Sequence, residues 1–214
     1  MKDILAKILE PLCIEELPHS LFTSFDQSLR FELGGEEFGA DRPMRRFAQA
    51  FLRSNAISQA LFERSSEVYV ALSSYGEEKP PSKRLIPLKH CGLKKHEFKY
   101  LGKTPQEDDG HYLEDGSNIF RHWDMAKLND KGTISDILWL GIAAELGIKP
   151  TFYGSTKAYL IDPEYGLVLH LYDDRGMDVV ATHNASLVDL FLRFNDWLLD
   201  YNRARMTSMF GSGE

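Results

Sequence analysis

Apolar residues recur along this chain with two periods, and the switches between them lay out its elements. Ile4, Leu5, Ile8, Leu9 and Leu12 follow helical spacing, which predicts an amphipathic helix over 3–10. Pro11 and Pro18 then mark a loop. Leu29, Phe31 and Leu33 alternate with Arg30 and Glu32, the pattern of a half-buried strand, and Gly34-Gly35 ends it. Pro43 is well placed to open a helix over 44–62, with Met44, Phe47, Ala48, Phe51 and Leu52 on one stripe and Arg45, Arg46 and Arg53 off it. Residues 67–73 form the next strand, Val68, Val70 and Leu72 facing one way and Tyr69 and Ala71 the other. Two weaker strands are expected at 84–88 and 97–101, and the acidic stretch 104–116 is expected as a mobile loop.

The second half is patterned more sharply. Residues 119–128 alternate as a strand. Ile134, Ile137, Leu138, Gly141, Ile142 and Leu146 then define a helix. Thr133 and Asp136 form a variant capping box at its start, and Gly147 and Pro150 stop it. Strands at 157–161, 167–172 and 177–182 follow as a meander. Their connections are the turns Asp162-Pro163-Glu164-Tyr165-Gly166 and Asp173-Asp174-Arg175-Gly176. Ser186 opens a last helix whose stripe runs from Leu187 through Phe194 and Trp197 to Tyr201, and 207–214 reads as a frayed tail. Strands joined by such short turns pair antiparallel. The expected fold is therefore α+β: one domain over 1–206, with an antiparallel or mixed sheet covered on one face by helices.

Composition narrows the function classes. Hydrophobic residues make up 43% of the 214 positions, enough for one sizeable core. The formal charge of −7 disfavours a nucleic-acid partner, which needs a basic surface, and suits a basic protein partner. Cys13 and Cys91 lack CxxC spacing, so no zinc or redox motif is assigned and a reducing, cytoplasmic compartment is expected. Charged residues interrupt the first apolar stretch, so it is no signal peptide, and no run is long enough to span a membrane.

The densest chemistry lies in Tyr172-Asp173-Asp174-Arg175-Gly176-Met177-Asp178. Its carboxylates can satisfy the turn's own backbone, or Asp173, Asp174, Arg175 and Asp178 can form an exposed charged tip that grips a partner. The regular ligand spacing of a Ca²⁺ loop is missing, so no metal is assigned. Arg30 and Glu32 share the polar face of the first strand and are the second binding candidates. His122 and Asp124 also share a strand face, where a structural hydrogen bond between them is the expectation. Cys91 and Trp197 read as core residues. No nucleophile elbow, phosphate loop or paired catalytic glutamates occur, and no cofactor is called for.

Several stretches together resemble an uncharacterised bacterial family, the domain of unknown function numbered three-eight-eight-five. They are Ile148-Lys149-Pro150, Ala158-Tyr159-Leu160-Ile161-Asp162, Tyr172 to Asp178, Asn195-Asp196-Trp197 and Asp200-Tyr201, with Arg30-Phe31-Glu32-Leu33-Gly34 near the start. The signature region is 148–203, and the middle, about 76–118, is least similar. One departure is Asp200-Tyr201-Asn202, where members often carry a further aspartate; it matters only where that position binds a charged group. The resemblance implies family membership and assigns no reaction. Small acidic bacterial proteins of this type are similar in size and charge to immunity proteins that neutralise toxins. A non-enzymatic interaction module of that kind is the leading expectation, with a carboxylate- or metal-dependent hydrolase using Asp173, Asp174 and Asp178, with His170 as an added group, or a small-ligand sensor, as alternatives.

Overall fold

A computed structural model describes residues 2–12, 16–35, 38–39, 41–105, 119–183 and 185–211. The expected acidic loop lies mostly at 106–118, and Cys13 at 13–15, outside the described residues. The elements in chain order are α1 (Lys2–Leu9), α2 (Leu21–Ser24), β1 (Ser28–Glu32), α3 (Pro43–Leu61), β2 (Tyr69–Gly76), β3 (Lys99–Pro105), β4 (Phe120–Lys127), α4 (Gly132–Leu146), β5 (Lys157–Asp162), β6 (Leu167–Leu171), β7 (Gly176–Ala181), α5 (Ala185–Arg193) and α6 (Arg203–Phe210). The seven strands form one sheet in the order β1-β7-β6-β5-β2-β4-β3. Every pairing is antiparallel. The fold is a single α+β domain, as the turns of the meander require.

The period-two pattern sends alternate residues to two separate cores. Val70, Leu72, Leu160, Leu169, Met177 and Val179 face the helices α3, α4, α5 and α6. Tyr69, Ala71, Trp123, Met125, Tyr159 and Val180 face the other way, and Leu5, Leu9, Leu17 and Leu21 pack on them. Helices were expected on one face only; in fact α1 and the segment leading to α2 cover the second. This explains why β6 and β7 are buried along their whole length. A strand with both faces covered reads as a near-continuous apolar run.

Three expectations along the chain are corrected. Residues 86–91 form a 3-10 turn in place of the weak strand, because Pro87 has no N–H to give a ladder. The last helix breaks after Arg193. Leu198 adopts an extended backbone and bridges Phe31, and the N–H of Leu199 donates to the carbonyl of Arg30 at 3.0 Å. The free edge of β1 is thereby covered. Residues 203–210 then form α6, with Met206 and Phe210 in the core, where a frayed tail was expected from Thr207.

Candidate functional site

The register of β1 on β7 sets Arg30 opposite Asp178, so the two signature stretches far apart in sequence meet side by side. Arg30 donates Nε to Asp178 Oδ1 at 2.7 Å and Nη2 to Oδ2 at 2.8 Å, a bidentate fork. The N–H of Phe22 adds a third donor to Asp178 at 3.0 Å. The guanidinium lies between two rings, 4.8 Å from the centroid of Phe22 and 5.5 Å from that of Tyr172. Its pKa is held above the usual value by the hydrogen bond to Asp178, against the opposing effect of burial.

The turn after β6 holds two more ion pairs. Asp173 Oδ1 accepts the N–H of Arg175 at 2.7 Å, and Oδ2 accepts Nε at 2.8 Å. Asp174 instead reaches across the fold and takes the Nε of Arg46, in the first turn of α3. Gly176 closes the turn by necessity. A Cβ there would lie 2.0 Å from the Tyr172 hydroxyl and 2.7 Å from the carbonyl oxygen of Phe31. The Tyr172 ring thus rests over the glycine, and Lys157 Nζ donates to the Tyr172 carbonyl at 2.6 Å.

These groups line a cleft of about 730 Å³. Of the six residues expected from sequence, Arg30, Glu32, Asp173 and Arg175 line it directly, while Asp174 and Asp178 stand behind it holding Arg46 and Arg30. The expected exposed acidic tip is therefore corrected. Asp173, Asp174 and Asp178 are buried, at 4%, 5% and 0% exposure, because each neutralises an arginine. The exposed member of the turn is the Arg175 side chain, at 72%. Sequence reasoning missed the remaining wall, chiefly Arg46, Lys157, Tyr172 and Glu145. Tyr172 stood inside the signature, but nothing in the local pattern of Arg46 or Lys157 tied them to it.

The other candidates lie elsewhere. His122 and Asp124 do not bond each other as expected. Asp124 forks onto Arg84 at 2.5 and 2.8 Å, while His122 bonds the Tyr100 hydroxyl at 2.8 Å and the Glu77 carbonyl at 2.7 Å. Cys91 is in the core, and burial pushes its thiol pKa up to about 12. His170 is wholly buried and stacked on Tyr159 at 4.1 Å. Its Nδ1–H donates to the Ala158 carbonyl at 3.0 Å, which leaves Nε2 as an acceptor with no partner among the described residues. Burial drives its pKa down to about 3, so it stays neutral at ordinary pH. Among the described residues no group of three or more His, Cys, Asp or Glu side chains could hold a metal ion. None of the described helices is long and apolar enough to cross a membrane.

A protein-family model described as "Domain of unknown function (DUF3885)" matches residues 3–202. No curated protein and no solved structure matches the chain.

Proposed function

The chain belongs to the DUF3885 family, and from that premise we propose that it is a non-catalytic recognition module that binds and masks a partner protein, in the manner of a toxin-neutralising immunity protein. The observation that carries this reading is the saturation of the signature carboxylates. Asp173, Asp174 and Asp178 are each spent on an arginine, so few of their oxygens are left to ligate a metal, while the arginines they hold are fixed in place. Fixed side chains lose little entropy on binding, which favours recognition. The rim supplies residue types that anchor protein interfaces: Arg175, and Tyr201 at 92% exposure two positions from the lining residue Leu199. Binding by occlusion needs no more than this. The net charge of −7 steers a basic partner toward the molecule. A buried free thiol at Cys91 suits a cytoplasmic setting.

A small-ligand sensor is the second reading, favoured by the volume of the cleft, which falls in the range of small-molecule sites. The two part in a capture experiment from the native host. Wild-type protein should retain a partner that binds again when both components are purified, and the Arg175→Glu, Tyr201→Ala double variant should lose it. Retention by the variant, or tight binding of a metabolite in place of a protein, would count against the interaction reading.

A further inference from the structure

Residues 81–92 follow a period of three, and that period builds an exposed basic row. N–H groups bond to the carbonyl three positions back at Arg84 (3.2 Å), Ile86 (3.0 Å), Leu88 (3.3 Å) and Gly92 (3.3 Å). In such a 3-10 turn, residues three apart eclipse one another. Leu85, Leu88 and Cys91 therefore share one side, which is buried against the core and α4. Lys83, Ile86 and Lys89 share another side and stand in solvent. Gly92 reverses the chain at φ +70°, and a second 3-10 turn, Lys95–Glu97, packs against the first with Lys94 and Lys95 exposed. Ile86, at 53% exposure, is a large apolar side chain set midway between two lysines.

None of Lys83, Lys89, Lys94 and Lys95 forms a salt bridge among the described residues. The acids around the ledge are Glu97, which accepts the N–H of Lys94 and a bond from Asn129, and Asp130 and Asp136 at the start of α4. Lys131 stands at the same helix start, so five lysines are set against three acids. The preceding loop is balanced, with Glu77 and Glu78 against Lys79 and Lys103. The ledge is thus positive in a chain whose formal charge is −7. It is tied through Arg84 to Asp124 on β4, and none of its residues lines the cleft.

We propose that this ledge docks the protein onto a bilayer rich in anionic lipid, with Ile86 dipping among the headgroups and Lys83, Lys89, Lys94 and Lys95 on their phosphates. An aliphatic side chain inside a row of lysines is what such an interface accepts, since it buries the apolar group at the headgroup boundary and attracts the charges. A nucleic-acid backbone offers Ile86 nothing. The exposed cations are lysines, while the single arginine of the ledge, Arg84, is buried and forked onto Asp124, so no free guanidinium is left to read phosphate or base bidentately. The nearby Tyr100 ring is held by its bond to His122 and lies 5.8 Å from the Arg84 guanidinium, so it is committed within the protein and not to stacking on a base. The acidic remainder of the chain is screened beyond about 8 Å at physiological salt, so it turns the ledge toward the membrane without cancelling it.

The test is co-sedimentation of the full chain with two vesicle preparations, phosphatidylcholine alone and phosphatidylcholine with about one-third phosphatidylglycerol, beside titration with a short single-stranded RNA at the same salt. The chain should bind the phosphatidylglycerol vesicles, less as salt rises, and leave phosphatidylcholine alone. Lys89→Gln and Ile86→Ser should each weaken binding about fivefold, and Lys83→Gln combined with Lys89→Gln about twenty-five-fold, with urea unfolding unchanged because all three positions are exposed. Arg175→Glu, at the cleft, should bind vesicles as the wild type does. Equal uptake by both vesicles, no uptake by either, an unchanged affinity in Ile86→Ser or in the double lysine variant, or tighter binding of the RNA would each overturn the proposal.

Discussion

Two turns of the same meander begin with aspartate and end with glycine, yet they do opposite things. In the turn between β5 and β6, Asp162 Oδ1 accepts the N–H groups of Glu164 at 2.7 Å and Tyr165 at 3.0 Å, and its other oxygen takes the hydroxyl of Ser65. Its partners are neutral, and two of the three are local. At the β6–β7 turn, Asp174 holds an arginine 128 positions away, and Asp178, just beyond the turn, holds one 148 positions away. The first turn closes a hairpin. The second closes a hairpin and also fixes three arginines around a cleft. Turn composition sets backbone geometry in both, but the charge of the distant partner decides which of them fixes arginines around a cleft.

Removing the aspartates should separate the two turns most strongly. Asp178→Ala leaves the largely buried Arg30 charge without its counter-ion and the Phe22 N–H without its acceptor, and should cost about 4 kcal/mol in urea unfolding. Asp162→Ala should cost about 1–2 kcal/mol, since the donors it strands are neutral and two of them belong to the exposed residues Glu164 and Tyr165. A double replacement of Arg30 and Asp178 by apolar residues of similar size should recover much of the larger loss.

His170 lies on β6 between the turns, and pH reads its burial directly. Its folded pKa of about 3 is below the ordinary value, so between about pH 6.5 and 3 the unfolded chain binds a proton that the native state refuses. Stability must fall as pH drops through that window. The loss expected between pH 7 and pH 4.5 is about 2–3 kcal/mol. His170→Gln should flatten that limb relative to the wild type in parallel urea titrations.

The two glycines should differ in whether their loss reaches the cleft. Gly176→Ala pushes against the Phe31 carbonyl and displaces the Tyr172 phenol, so it should cost about 2 kcal/mol and disturb the cleft as well. Gly166 sits at φ +65°, a left-handed conformation, and a Cβ there would also press on Thr182, so Gly166→Ala should cost about 2 kcal/mol as well but leave the cleft resonances in place. Arg175→Gln, at an exposed position, should change stability by less than about 1 kcal/mol and be felt mainly in ligand binding.

How far sequence led depends on whether a feature is local. The meander was legible because alternation and turn residues act within a few positions. The α4 helix was legible for the same reason, although Asp130, in place of the expected Thr133–Asp136 box, accepts the Thr133 N–H at 3.1 Å at its start; the helix ends at Gly147 as expected. The run Arg84–Leu88 misled because its apolar content outweighed Pro87. The last helix misled because its period continues past Arg193, while pairing of Leu198 with β1 overrides it. At the site, Arg30, Glu32 and the turn residues were found as chemistry, but their burial was not. An aspartate that caps a turn and one that neutralises a distant arginine look alike in one dimension. The Arg46–Asp174 pair exists only once α3 has packed across the sheet end.

The most direct measurement of the central claim is the affinity of the purified partner for three versions of the chain, by calorimetry: wild type, Arg175→Glu at the cleft rim, and Lys99→Glu on β3 at the opposite edge of the sheet. A cleft-centred grip predicts a loss of at least about tenfold for Arg175→Glu and almost none for Lys99→Glu. Equal losses at both edges, or no loss at the cleft, would contradict it.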